Sequence, residues 1–265
     1  MYSRTELAKK YLSYLLHAHN GKGHGVHSPF VFDFIIHVLN DKKKPPEAKM
    51  IEQYRKELLA NKHFIEVEDF GAGSALFNRK KRRISSIAGT SLKKPKYAQL
   101  LCRIAKYYHC QNILEMGTSL GTTTAYFAIC NPDANIVTLE GSNSIAGIAE
   151  NFFRIKNLKN IRLIRGDFKN TLPEFLNHNP KIDLAFIDGN HKKEPTLRYF
   201  NLLLEKNHEH SIFIFDDIHW SAGMEEAWET IHSDSRVTLS IDLFFLGIVF
   251  FKKEFMVKQD FTIRF

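Results

Sequence analysis

Five acidic residues stand at or just beyond the ends of short apolar runs between residues 112 and 216 of this 265-residue sequence. The runs are 112–115, 135–140, 161–165, 183–188 and 211–216, and the acids are Glu115, Glu140, Asp167, Asp188 and Asp216, with Asp217 directly behind. After the first run comes Glu115-Met-Gly-Thr-Ser-Leu-Gly121, a glycine-punctuated turn leading into a helix-compatible segment. Such a loop lets backbone approach a ligand closely, and the free N–H groups of the helix start favour a negative ligand group. The spacing differs from the G-x-G-x-x-G of nicotinamide-binding proteins. Glu140, 25 residues after Glu115, is placed to accept both ribose hydroxyls of a nucleoside cofactor. In Gly166-Asp167-Phe168 the acid is expected to accept an adenine amino hydrogen, with the phenyl ring expected to pack on the base. One strand-end acid means little, because Asp is common in turns and at helix caps. Five in register behind a glycine loop make a combination.

That combination resembles the class I S-adenosylmethionine (SAM) dependent methyltransferases. Glu115, Gly117, Thr118, Ser119, Gly121, Glu140, Gly141, Asp167 and Phe168 are the expected cofactor-binding residues, with Asp188 adjoining them. Two further stretches, Phe186-Ile-Asp-Gly-Asn-His191 and Phe213-Ile-Phe-Asp-Asp217, look like the paired motifs of the catechol O-methyltransferase branch and its bacterial small-molecule relatives. The resemblance implies a divalent metal on Asp188, Asp216 and Asp217, and hard oxygen donors suit Mg²⁺ or a similar cation. It also places His191 where the catechol enzymes carry a lysine base. An imidazole titrating near 6.5 can take a hydroxyl proton at neutral pH. Asp188 and His191 are therefore the expected catalytic pair, and O-methylation of a small hydroxylated acceptor is the expected reaction. No Asn/Asp-Pro-Pro-Tyr sequence occurs, which argues against methylation of a base or protein amide.

The elements that must position these residues alternate. Helix-compatible segments at 122–130, 144–156, 171–178 and 195–206 fall between the strand candidates, which predicts an α/β chain with a parallel sheet covered on both faces. Two adjacent β-rich runs, 237–245 and 247–252, predict a terminal hairpin and an antiparallel strand at the sheet edge. The resemblance implies a Rossmann-like, mostly parallel seven-stranded sheet over residues 95–265. Residues 1–62 read as a helical extension, with Leu7, Tyr11, Leu12, Leu15 and Leu16 on one face of a first helix and Ser28-Pro29 opening a second. This extension is expected to build a lid or a homodimer contact. Residues 63–94 read as a basic connecting region. Within it Val67–Ser74 also carries an acid and glycines, but Phe77-Asn-Arg-Lys-Lys-Arg-Arg83 follows and offers no apolar helix face. A mobile basic loop is expected there instead.

Composition sets the outer limits. A hydrophobic content of 44% suits one large domain with an extension. No run reaches the 18 or so apolar residues of a membrane helix, and the start lacks a signal-peptide core. Cys102, Cys110 and Cys130 show no metal spacing and read as reduced thiols of a cytoplasmic protein. The net charge of +8 is scattered over lysine-rich clusters and mostly describes a solvated surface. Two alternatives stay open: an RNA-directed methyltransferase gripping phosphate with Lys80–Arg83, and a degenerate SAM-binding module acting through protein contacts of the first helices.

Overall fold

The computed structural model describes residues 1–43, 45–69, 78–178 and 181–265. In chain order the helices are α1 (Arg4–His17), α2 (Pro29–Phe34), α3 (Ala48–Ala60), α4 (Ile84–Ser91), α5 (Pro95–Tyr107), α6 (Thr122–Cys130), α7 (Asn143–Ile155), α8 (Phe168–His178), α9 (Lys193–Leu204) and α10 (Ala222–Ser233). The strands are β1 (Phe64–Asp69), β2 (Asn78–Arg83), β3 (Asn112–Met116), β4 (Asn135–Glu140), β5 (Ile161–Arg165), β6 (Leu184–Ile187), β7 (Ile212–Asp216), β8 (Leu239–Asp242), β9 (Leu246–Phe250) and β10 (Gln259–Thr262). The chain divides into two compact units, Lys42–His178 and the pair of segments Met1–Asp41 with Asn179–Phe265.

In the unit Lys42–His178, β3, β4 and β5 run parallel, with Leu114 level with Val137 and Val137 level with Arg162. Along β3 and β4 consecutive residues are buried on both faces, as expected of strands with helices above and below. The expected connecting region is more ordered than its composition suggested. β1 and β2 form an antiparallel hairpin, with Phe64 opposite Arg83 and Glu66 opposite Lys81. Its inner side gives Val67 to a small core with Leu58, Ile84, Ile87, Leu120 and Ile145. The strand pattern was hidden because β2 is polar throughout and only β1 supplies the apolar alternation. Gly71 and Gly73 of the rejected motif lie outside the described residues.

The cysteine expectation needs correction for two of three residues. α5 and α6 lie side by side, bringing the Cα atoms of Cys102 and Cys130 to 5.8 Å, and the two are joined by a disulfide. Their separation of 28 residues gave no sign of this contact, because it depends on helix packing. Cys110 is buried and outside the bridge. A disulfide also removes one support for the cytoplasmic expectation.

In the other unit the strand order is β6-β7-β9-β8-β10. β6 pairs in parallel with β7, and β9 runs against both β7 and β8. The antiparallel strand is thus internal, not at the edge. The edge is β10, parallel to β8 and one strand beyond the seven expected. α10 crosses closely over β9 because Gly247 has no side chain: a Cβ there would lie 2.5 Å from the Trp228 ring. α1 begins with a full capping box, Ser3 Oγ accepting the Glu6 N–H while Glu6 accepts the Ser3 N–H. Its packed stripe is Leu7, Tyr11, Tyr14 and Leu15 against Phe244 and Phe245. Leu12 and Leu16 are exposed, so the expected apolar face was drawn one position too wide. Pro29 opens α2 as expected, but Ser28 makes no side-chain cap bond, and the helix ends in a π-helical turn over Ile35–Leu39.

Candidate functional site

The unit Lys42–His178 builds a cradle at the carboxyl ends of β3 and β4. The chain leaves β3 through Gly117 at φ 107°, Ser119 at φ 48° and Gly121 at φ 81°. The N–H groups of Gly117 and Thr118 both donate to the Leu139 carbonyl, at 3.0 and 3.1 Å, so the loop is pinned to β4. Glu140 stands opposite. Its carboxylate accepts the Ser119 N–H at 2.8 Å and the Ser142 N–H at 3.0 Å, tying the glycine loop to the turn after β4. Burial pushes the Glu140 carboxyl above its ordinary value, against the backbone N–H groups of Ser142, Ser119 and Gly141 that favour the charged form. Gly121 also has a packing role, since a Cβ there would lie 2.7 Å from the Phe153 ring.

Glu115 takes a different position from the other strand-end acids. It is fully buried and accepts hydrogen bonds from the Thr124 hydroxyl and, at 2.7 Å, from the Thr138 hydroxyl. Thr138 in turn lies 2.6 Å from the Thr118 hydroxyl. The acid therefore orders the loop from within. Asp167 accepts the Lys169 N–H at 2.9 Å, and its carbonyl accepts the N–H groups of Asn170 and Thr171, so it caps the start of α8. Two contacts from the hairpin and α4 were not legible in the sequence. Glu68 accepts both the Asn143 N–H, at 2.9 Å, and its side-chain amide, at 3.1 Å. Ser91 Oγ lies 2.7 Å from Ser119 Oγ. Both walls of the cradle are thus held by residues 64–91. The Thr122-Thr-Thr124 run behind the loop was the one available signal for the buried network.

The other unit carries the acid cluster. β6 and β7 are in register with Ile187 opposite Phe215, so Asp188 and Asp216 emerge level with each other. His191 comes back on the short loop after β6. Ligating atoms of Asp188, His191 and Asp216 all lie within 4.8 Å of one another, and His191 Nε2 is 3.4 Å from Asp188 Oδ1. Asp216 is buried, while Asp188 and His191 are partly exposed. Two carboxylates and an imidazole at this spacing fit a divalent cation. Asp217, expected in the ligand set, lies outside that group, with its carboxylate 4.0 Å from His191 Nδ1. Its backbone is left-handed, φ 54°, and its N–H donates to the Phe245 carbonyl. His219 turns away from the cluster. Its ring stacks on Phe244, and its nitrogens face Glu225 at 3.1 Å and Asp242 at 2.8 Å. Burial alone would lower its pKa, but the two carboxylates raise it above the ordinary value.

Residues 114–218 match a family model described as a methyltransferase domain. No curated protein sequence is matched. Among solved structures, an O-methyltransferase from Bacillus cereus in complex with SAH is 20% identical with a TM-score of 0.56, over 83% of this chain and 97% of that one. SAH-bound methyltransferase PaMTH1 of Podospora anserina is 14% identical with a TM-score of 0.60, over 96% and 98%. A putative O-methyltransferase from Klebsiella pneumoniae is 18% identical with a TM-score of 0.56, over 84% and 96%. The fold is the Rossmann-like class I methyltransferase fold, and the likeness read from the motifs is met by the family model and by these neighbours. Among the described residues no helix is long and apolar enough to cross a membrane.

Proposed function

We propose that the chain transfers a methyl group from SAM to an oxygen of a small hydroxylated molecule, and that a divalent cation assists. The observation that carries this reading is the grouping of Asp188, His191 and Asp216 within 4.8 Å at neighbouring strand ends. Asp188, His191 and Asp216 would hold the cation, which would supply Lewis-acid activation of an acceptor hydroxyl and fix its direction. His191 is then a ligand in place of the base expected from sequence, and the acceptor proton leaves to solvent as the oxygen–methyl bond forms. Asp217 stands beside the cluster and adds negative charge to it. Glu140 receives the ribose hydroxyls, while the glycines of the Gly117–Gly121 loop, whose N–H groups are mostly spent on Leu139, Glu140 and Thr118, let the amino-acid end of the cofactor lie close against its backbone. The sulfonium is already a good leaving group, so the chain's task is alignment. That the B. cereus and P. anserina structures hold SAH supports the cofactor assignment.

The test is calorimetry with S-adenosylhomocysteine and with Mg²⁺ or Mn²⁺, followed by transfer of labelled methyl to catechols. Wild type is expected to bind the nucleoside at micromolar concentration and to lose methyl transfer in EDTA. Transfer that persists undiminished in EDTA would remove the metal from the reading, and absence of nucleoside binding would remove the whole of it.

A further inference from the structure

The hairpin of β1 and β2 takes no part in the chemistry above, yet it holds the densest charge in the chain. Residues 62–69 and 78–83 include six cations, Lys62, Arg79, Lys80, Lys81, Arg82 and Arg83, against three acids, Glu66, Glu68 and Asp69. Lys62, Lys80, Lys81, Arg82 and Arg83 are all exposed. A charge or two on an edge strand is a common guard against edge-to-edge pairing. A continuous run goes further, because successive side chains of a strand point to opposite faces, and here both faces of β2 are basic. Of the acids on β1, Glu66 lies across from Lys81, while Glu68 is drawn to the N-terminus of α7. Beside the cations stands an aromatic ring. Phe64 is 58% exposed, and the Arg83 guanidinium lies 5.1 Å from its ring centre. An exposed phenyl ring within a basic strip is the feature that stacks bases where cations track a phosphate backbone.

We propose that this hairpin is a binding strip for single-stranded nucleic acid running along the outer edge of β2, with Lys81 and Arg83 reaching phosphates from the Phe64 side of that edge, Lys80 and Arg82 from the other, and Phe64 stacking a base. The strip is a fixed platform. Val67 is buried in the core below it, Arg82 reaches the Thr90 hydroxyl, and Glu68 anchors β1 beside the turn that carries Glu140. A strand lying on it would therefore pass close to the loops of the nucleoside cradle in the same unit. The inference stands on the hairpin alone and does not depend on the methyl acceptor.

The experiment is fluorescence anisotropy of the full chain with a labelled 20-nucleotide oligouridine at 50 and 200 mM KCl. Four neutralised phosphates on a single strand predict a loss of affinity of about 50-fold between those salts. The joint substitution Lys80→Gln, Lys81→Gln, Arg82→Gln and Arg83→Gln should abolish most of that slope. The control Lys252→Gln with Lys253→Gln should leave it intact. Phe64→Ala should weaken binding about tenfold with the slope unchanged. Photo-crosslinking of a 4-thiouridine oligonucleotide to the unaltered chain should label peptides from residues 62–83, which keeps the test valid if the fourfold variant does not fold. Binding that keeps its slope in the folded fourfold variant, or crosslinks confined to other peptides, would overturn the proposal. So would a chain that ignores the oligonucleotide and sediments with phosphatidylserine vesicles.

Discussion

The two halves of the candidate machinery are made of different materials. In the unit Lys42–His178 the cradle is mostly backbone: the Gly117 and Thr118 N–H groups on Leu139, and the Ser119 and Ser142 N–H groups on Glu140. In the other unit the cluster is all side chain, with Asp188, His191 and Asp216 presented from two strand ends and a loop. A site made of backbone keeps its shape under most substitutions and fails at its glycines and at the carboxylates that tie it together, Glu115 and Glu140. A site made of side chains can be erased one group at a time while the fold beneath it stands.

The sharpest way to break this contrast is to exchange the losses. Glu140→Ala removes a carboxylate expected to hold two hydroxyls, at about 2 kcal/mol each, so S-adenosylhomocysteine affinity should drop roughly a thousandfold while divalent-cation binding persists. Asp188→Asn should do the reverse. Calorimetry on both proteins decides it, and a variant that loses both ligands would show that the halves are one site.

Next in size is the Cys102–Cys130 bridge, which closes a loop of 28 residues behind the cradle. Reduction, or Cys130→Ser, should cost about 3.5 kcal/mol of stability, read as a fall in the urea midpoint. Equal midpoints with and without reductant would mean that the bridge does not form in solution. Gly121→Ala forces a Cβ to within 2.7 Å of Phe153 at a left-handed residue, at about 2 kcal/mol. Its melting temperature and its nucleoside affinity should fall together.

The smallest expected effect lies with Glu225. Burial alone would raise its carboxyl, but the Tyr2 hydroxyl, the Lys10 ammonium and His219 hold it below the ordinary value. A depressed carboxyl contributes stability above its unfolded value, near 4.5, and that contribution is lost as pH falls through the lower folded value. Glu225→Gln should flatten the acid limb of the stability curve by under about 1 kcal/mol, because the group is partly exposed and its ion pairs are screened by solvent.

How far the sequence carried the structure can be seen residue by residue. The strand-end acids were legible because short apolar runs with period-free burial end abruptly in a carboxylate. The closeness of Asp188 and His191 was legible from a spacing of three. Asp216 joined them because β6 and β7 pair in register, which the paired motifs implied. What stayed hidden depends on contacts between distant segments. Nothing local says that Cys102 meets Cys130, that Glu68 reaches Asn143, or that Glu225 and Asp242 claim His219 ahead of the acid cluster. The hairpin was missed for a different reason: β2 has no apolar residue, so its alternation is visible only through the partner strand.

The way α1 is held has a consequence for how the chain is made. The Tyr14 hydroxyl donates to the Ile263 carbonyl, a span of 249 residues, and Tyr11 and Tyr14 rest on Phe244. At about 5–20 residues per second of synthesis, α1 waits roughly 12–50 seconds for its seat to emerge from the ribosome. Lys42–His178, by contrast, is continuous and has all its strands in hand by residue 165. During translation the nucleoside cradle is therefore complete first, while an amphipathic helix with an unburied tyrosine face trails from the nascent chain. That helix is where a chaperone would find its handle.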